Sequence, residues 1–74
     1  MTEGEYRVGV SFNPGGHTAV NRIKKEAAKL IDYLLPVRDL GGEAGRCAAL
    51  AMTGFEEAAM WAVKAVTKPK REAS

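Results

Sequence analysis

Residues 43–68 read EAGRCAALAMTGFEEAAMWAVKAVTK, the longest uninterrupted helical pattern in the chain. Its apolar and small residues recur at alternating spacings of 4 and 3, the heptad period of a helix packed along another helix: Ala48, Met52, Phe55, Ala59, Ala62 and Val66. The opposite side is also apolar or small, with Cys47, Leu50, Ala51, Gly54, Ala58, Trp61 and Ala65. A helix that is apolar most of the way round must be buried most of the way round. One partner helix covers only one side, so we expect other subunits to cover the rest.

The partner helix is predicted over residues 18–35. Its seam has spacings of 3, 4, 3 and 4, with Val20, Ile23, Ala27, Leu30 and Leu34. Thr18 is the expected N-cap, because its hydroxyl can accept from the first free amides. Pro36 is expected to end this helix. The short connection to residue 43 predicts an antiparallel hairpin.

The chain before residue 18 has a different pattern. Residues 6–12, YRVGVSF, alternate between apolar and other residues, which is the period of a strand. Residues 13–16, NPGG, then predict a turn. A lone strand has no partner in this chain, so residues 1–17 are expected to form an extended arm and turn, packed on a helix or paired with another subunit. The prediction is one all-α domain over residues 1–74, an oligomeric helical hairpin with this arm and a frayed tail at 69–74.

Length and composition limit the classes of protein. A chain of 74 residues buries little core and usually needs a disulfide, a metal or oligomerisation. One cysteine and one histidine exclude an internal disulfide framework and a structural zinc site, which leaves oligomerisation. A net charge of +2 is too mild to indicate binding to DNA, so no DNA partner is expected. No signal peptide or membrane span is predicted, which favours an intracellular protein.

No set of residues supports catalysis. His17 has no serine or cysteine partner at a readable spacing. Glu56 and Glu57 are adjacent, so they point about 100° apart on a helix and cannot act as a facing pair. The glycines of residues 13–16 lack the spacing of a phosphate-binding loop. The sequence therefore predicts no enzyme, no metal and no cofactor.

Two groups of residues favour ligand binding. Arg46, Thr53, Glu57 and Lys64 have spacings of 7, 4 and 7, and so form one stripe on the long helix. That stripe is either a solvated or salt-bridged face or a polar pocket near a helix N-terminus that favours an anion.

The second group combines cations with aromatic rings. The first helix carries Arg22, Lys24 and Lys25, and the arm carries Tyr6 and Phe12. Each set alone is typical of a solvated surface or of plain packing. Together they suit a nucleotide, because phosphates pair with cations and bases stack on rings.

Several short motifs resemble one family. They are Tyr6-Arg7, the sequence Asn-Arg-Ile-Lys at residues 21–24, Gly45-Arg46, Thr53 and the stretch from residue 60 to 69. Their order and spacing are similar to those of the phage cyclic-nucleotide sponges that counter CBASS immunity, a group that also includes sponges against Thoeris signalling. The resemblance extends over residues 6–69.

The resemblance implies a small helical hairpin that assembles into a hexamer in the host cell cytoplasm. Such a sponge binds cyclic oligonucleotide second messengers without cleaving them. It also implies site residues. In the dinucleotide site Tyr6 stacks on a base and Lys24 contacts phosphate, with Asn21 in the same motif. Arg46 belongs to a separate trinucleotide site, and Thr53 lies two turns further along the same stripe.

The chain departs from the best-known members in two places. The segment between Tyr6-Arg7 and residues 21–24 is longer, with Phe-Asn-Pro-Gly-Gly at residues 12–16, which can reshape the dinucleotide pocket. The interhelix connection is shorter, which can alter or remove the trinucleotide site. Three alternatives stay open: a sponge for glycocyclic ADP-ribose, a small phage adaptor that binds nucleic acid, and an oligomer without a ligand.

Overall fold

A computed structural model describes residues 1–69 as three α-helices: α1 (Glu3–Val8), α2 (Thr18–Asp39) and α3 (Gly42–Thr67). α2 and α3 form the antiparallel hairpin, because Val20 near the start of α2 lies beside Thr67 at the end of α3. α1 packs mainly on α2. No strand occurs in residues 1–69. Apart from Pro69, the predicted tail at 69–74 lies outside the described residues.

The hairpin is a single layer of helices. It measures 52 × 28 × 12 Å, and its shortest dimension is close to the width of one helix with side chains. Its radius of gyration is 14.5 Å, against about 11 Å for a compact domain of this length. The core is a narrow line of buried residues between α2 and α3: Val20, Ala28, Ile31, Ala48, Met52 and Ala59. The outer side of α3 is therefore left to solvent, and Leu50 and Trp61 are each 61% exposed.

The prediction of an extended arm is wrong at residues 3–8, which form α1. A capping box starts this helix: the Thr2 hydroxyl accepts from the Glu5 amide at 3.0 Å, and the Glu5 carboxylate accepts from the Thr2 amide at 2.8 Å. Gly9 ends it in the left-handed conformation, with φ of 65°. The alternation of apolar residues is overridden, because the caps satisfy backbone groups at both ends of the helix.

The prediction that the first helix occupies residues 18–35 is also wrong at its end. α2 continues through Pro36 to Asp39. Proline lacks one amide, so only the bond to the Asp32 carbonyl is lost in a helix that ends one turn later. The N-cap is His17 rather than Thr18, since His17 Nδ1 accepts from the Ala19 amide at 3.2 Å. α3 begins and ends one residue before its predicted bounds.

The buried stripe of α2 differs from the predicted seam. Val20, Lys24, Ala28 and Ile31 are buried, whereas Leu30 of the predicted seam is exposed. The stripe is rotated because α2 packs against α1 as well as α3. Gly4 brings α1 very close: a Cβ there would lie 2.2 Å from the Ala28 carbonyl oxygen. The Gly4 amide also donates to Asp32 Oδ1 at 2.7 Å, which fixes the start of α1 on α2.

Candidate functional site

Lys24 lies at the centre of the candidate site, on the first half of α2. The residue is only 7% exposed, although lysine is rarely buried. Its Nζ donates to the Gly9 carbonyl at 3.0 Å and also to the Phe12 carbonyl. The same ammonium lies 5.4 Å from the centre of the Phe12 ring. Lys24 therefore holds the chain that leaves α1 against α2.

The charge of Lys24 has no carboxylate partner within 4.0 Å among residues 1–69. Glu56 lines a neighbouring cavity with Lys24, but its carboxylate lies 4.0 Å from Arg7 Nη1. Arg7 is held in turn by Glu3, whose Oε2 accepts from Arg7 Nε at 2.7 Å. A buried cation that is solvated only by carbonyl dipoles is costly unless an anion approaches it. This arrangement favours a phosphate.

Two cavities adjoin Lys24. One, of about 200 Å³, lies between α1 and α3 and is lined by Val8, Glu56, Ala59, Met60 and Val63. The other, of about 330 Å³, lies under the loop that joins α1 to α2. We call it the loop cleft, and its walls include Phe12, Pro14, His17, Val20, Val63 and Thr67. Both cavities have mainly apolar walls, as small-molecule sites do.

The loop above this cleft is held by its own hydrogen bonds. Asn13 Nδ2 donates to the His17 carbonyl at 2.9 Å, and the His17 amide donates to Asn13 Oδ1 at 3.1 Å. The Gly16 amide donates to the Asn13 carbonyl at 2.9 Å. His17 then caps α2. The segment from Asn13 to His17 therefore forms a closed turn attached to a helix end.

Of the residues predicted for the dinucleotide site, Lys24 lines both cavities, whereas Tyr6 and Asn21 line neither of them. Tyr6 is 74% exposed on α1, and its carbonyl accepts from the Gly9 amide at 3.2 Å. The Gly9 carbonyl in turn accepts from Lys24 Nζ. The backbone of Tyr6 is therefore connected to the Lys24 ammonium through Gly9. Asn21 lies one turn before Lys24 on α2 and is half-buried.

The residues predicted for the trinucleotide site lie elsewhere. Arg46 is near the start of α3, 17 residues from Val63 at the level of Lys24, or about 25 Å along the helix. Its guanidinium pairs with Glu43, with Nε to Oε1 at 2.6 Å and Nη2 to Oε2 at 3.2 Å. Thr53 is exposed two turns further along the same face. The structure separates the two predicted sites and leaves Arg46 in an exposed ion pair.

The other residues of the predicted stripe on α3 lie near Trp61. Lys64 Nζ lies 5.1 Å from the centre of the Trp61 ring. Glu57 and Thr53 border a shallow depression with Trp61. No group of three or more potential metal ligands occurs in residues 1–69. Within the same residues, no helix combines the length and the apolar character needed to span a membrane.

The sequence did not indicate the role of Asp32, and it indicated the Phe12 ring as a stacking surface but not its contact with Lys24. Asp32 fixes α1 by accepting from Gly4, and Phe12 provides both a carbonyl and a ring to Lys24. The helix that Asp32 holds could have been predicted, because Thr2 and Glu5 have the spacing of a capping box and so indicate a helix at the N-terminus. The role of Phe12 depends on a contact across the loop, for which the sequence has no periodic signal.

The described fold and site are matched by a family model. The model of the Acb2/Tad1 hairpin domain matches residues 4–67, from the buried glycine of α1 to the last residue of α3. The chain belongs to the Acb2/Tad1 hairpin family. No curated protein and no solved structure matches it.

The match confirms the resemblance to the phage anti-CBASS and anti-Thoeris sponges. Acb2/Tad1 hairpin domains are binding domains associated with the sequestration of cyclic nucleotide signals. The matched range contains both groups of predicted site residues, Lys24 with Tyr6 and Asn21, and Arg46 with Thr53. It also contains the whole loop cleft, so this loop is part of the Acb2/Tad1 domain of the chain.

Proposed function

We propose that this Acb2/Tad1 hairpin is a non-catalytic sponge that binds cyclic dinucleotides and blocks CBASS-type signalling in the host cytoplasm. The observation that carries the proposal is the buried Lys24 ammonium, which has no carboxylate partner among residues 1–69 and shares a cavity with Val8 of α1, the helix that also carries the exposed Tyr6. A cyclic dinucleotide has both phosphates and flat bases, which are the two chemistries that this pair of side chains recognises.

Lys24 is arranged to bind a phosphodiester. An ammonium has three N–H donors, and two of those of Lys24 are directed at the carbonyls of Gly9 and Phe12. Within residues 1–69 one donor is left for a ligand oxygen. A charge-assisted hydrogen bond of this kind contributes about 1.5–3 kcal/mol. Because the carbonyls already fix the ammonium, little side-chain freedom is lost on binding.

Tyr6 and Asn21 complete the proposed dinucleotide site. Tyr6 offers an exposed ring on α1 for one base, and such stacking contributes about 1–3 kcal/mol. Asn21 is on the turn of α2 that precedes Lys24, from which its amide can reach a polar edge of the ligand.

A second site for cyclic trinucleotides is proposed around Arg46 and Thr53. A phosphate would replace Glu43 as the partner of Arg46. Exposed ion pairs contribute only about 0–1 kcal/mol, so this exchange is inexpensive. The short connection at residues 40–41 brings the start of α3 close to α2, since a Cβ at Gly45 would lie 2.8 Å from the Arg38 carbonyl oxygen. This closeness limits the room on the α2 side of Arg46.

The proposed assembly is a homohexamer. The support is the single-layer shape, which leaves Leu50 and Trp61 on the outer side of α3 more than half exposed, with the exposed Gly54 and Ala58 between them. Contiguous exposed apolar surface of this kind is typical of protein interfaces. The number six comes from the family resemblance, and copies packed on this side would cover the apolar surface that the hairpin leaves open.

The test is calorimetric titration of the purified protein with cyclic di- and trinucleotides, glycocyclic ADP-ribose and duplex DNA. We expect a cyclic dinucleotide to bind, and Tyr6→Ala to weaken it about tenfold or more, while Tyr6→Phe has little effect. Lys24→Met is expected to weaken binding at least tenfold. It also removes the bonds that hold the loop, so its melting temperature is measured alongside.

Lys29→Met is the matched control, because Lys29 is an exposed lysine on the same helix and lines neither cavity beside Lys24. Its affinity is expected to equal that of the wild-type protein. Equal affinity of wild type and Lys24→Met, with the fold intact, contradicts the assigned site. Preference for glycocyclic ADP-ribose selects the Thoeris alternative. Ligand recovered after denaturation is expected to be unchanged, and a linear product would show that the chain is an enzyme.

A further inference from the structure

We infer that Phe12 is a second stacking surface that makes the site selective for purines, an inference that rests on the proposed sponge function. The Phe12 ring is 74% exposed, yet its position is set, because its carbonyl accepts from Lys24 and its ring centre lies 5.4 Å from the same ammonium. The exposed Phe12 ring offers a flat surface for a base, and the buried Lys24 ammonium beside it offers a cation for a phosphate.

The loop that carries Phe12 is held by hydrogen bonds within the chain. Asn13 makes two hydrogen bonds to the His17 backbone, and Pro14 within this turn restricts the backbone further. Lys24 ties the start of the same loop to α2 through Gly9 and Phe12. Little entropy is therefore lost in positioning the ring, which is the condition for a stacking contact to add affinity.

The loop cleft has the chemistry of a base site. Its volume is about 330 Å³, and its walls include the apolar side chains of Val20 and Val63. Lys24 contributes the one charged side chain that is nine-tenths buried there, and it favours an anion. In a nucleotide the base is joined to the phosphate through one sugar, so a phosphate held by Lys24 leaves its base within reach of Phe12.

Selectivity follows from the size of the ring surfaces. The fused rings of a purine cover more of a phenyl face than the single ring of a pyrimidine, so removal of Phe12 reduces purine affinity more. Tyr6 then serves one base of a cyclic dinucleotide and Phe12 the other. The competing role for Phe12 is structural only, as a cover over the Lys24 ammonium.

The experiment compares cyclic di-AMP with cyclic di-UMP on the wild-type protein, Phe12→Leu and Phe12→Tyr. Stacking of one base on an aromatic side chain changes affinity by roughly 5- to 150-fold. Phe12→Leu is expected to lose that much for cyclic di-AMP and clearly less for cyclic di-UMP, so the purine preference falls. Phe12→Tyr is expected to retain it. Tyr33→Leu is the control, because it removes an equally exposed ring on α2 that does not line the loop cleft.

The outcomes separate the two proposals. If the wild-type protein binds cyclic dinucleotides and Phe12→Leu keeps the same purine preference, the inference is wrong and the proposed function stands. Equal losses for both ligands with a lower melting temperature show the structural role and also overturn the inference. If Phe12→Leu does not fold, Phe12→Trp decides, and the inference requires it to raise the preference for cyclic di-AMP. A wild-type protein that binds neither dinucleotide overturns the inference, and titration with cyclic trinucleotides then decides the sponge function separately.

Discussion

At the scale of single residues, Gly4 controls how α1 meets α2. Its amide donates to Asp32, and there is no room for a side chain beside the Ala28 carbonyl. Tyr6 is on the same short helix, so the placement of its ring depends on this contact. A residue that touches no ligand in the proposed site therefore determines where a ligand-binding residue lies.

Gly4→Ala is expected to lower the free energy of unfolding by about 1–3 kcal/mol, because an added Cβ would lie 2.2 Å from a backbone oxygen. The matched control is Gly15→Ala, which has nothing within 4 Å of its new Cβ in the described structure and a negative φ. A glycine replaced by alanine at a compatible position loses unfolded-state entropy, so this control is expected to be at least as stable as the wild type. Thermal denaturation of both variants measures the effect, and a stabilised Gly4→Ala would refute the close contact.

The residue scale also shows what a sequence can indicate about a site. The types of residue, Lys24 with the rings of Tyr6 and Phe12, suggested a nucleotide, and the family of the chain is associated with cyclic nucleotide signals. The assignment of single residues to the site stays a prediction. The burial of Lys24 and its bonds to two carbonyls were not predicted. Both depend on the path of the loop between residues 9 and 17, and that path is set by contacts between distant parts of the chain.

At the scale of elements, the capping residues of α1 indicated its structure better than the spacing of its apolar residues did. The heptad spacing correctly predicts that α3 is a long helix with Ala48, Met52 and Ala59 inside. The strand period over residues 6–12 led to the wrong element, because the capping box at Thr2 and the glycine at position 9 favour a helix. In a short segment, the spacing of apolar residues is a weaker indicator of secondary structure than the residues that cap its ends.

The capping box of α1 can be tested directly. Thr2→Ala removes the acceptor for the Glu5 amide, and loss of such a cap costs about 1 kcal/mol. We expect a lower melting temperature and weaker binding of a cyclic dinucleotide, since α1 carries Tyr6. Thr18→Ala is the control, because the cap of α2 is His17. A Thr18→Ala variant that loses as much stability as Thr2→Ala would contradict the observed cap.

At the scale of the whole molecule, the apolar second side of α3 is the main feature that the sequence anticipated. The structure leaves that side exposed in a layer only 12 Å thick. The oligomer stays a prediction. The pattern of apolar residues along α3 does not predict the number of subunits, because that number depends on the angle between subunits and so on the contacts between them.

Sedimentation velocity at micromolar concentration is expected to show a species larger than a dimer. Leu50→Lys places a charge on the exposed apolar side of α3 and is expected to shift the protein to smaller species. Lys29→Ser is the matched surface control, since Lys29 lies on α2 in an exposed pair with Glu26. A folded wild-type monomer at this concentration would contradict the proposed assembly.

The contact between Gly4 and Asp32 has a consequence for the order in which the protein acquires its parts. A helix of six residues is not stable by itself in water, so α1 forms only when α2 is present to receive it. Residue 32 leaves the ribosome well after residue 4, and α2 makes its most extensive contacts with α3, which is synthesised later still. We therefore expect α1, which carries Tyr6, to fold last. A chain whose synthesis stops early is then expected not to bind a cyclic nucleotide, because α2 and α3 have not yet formed the hairpin.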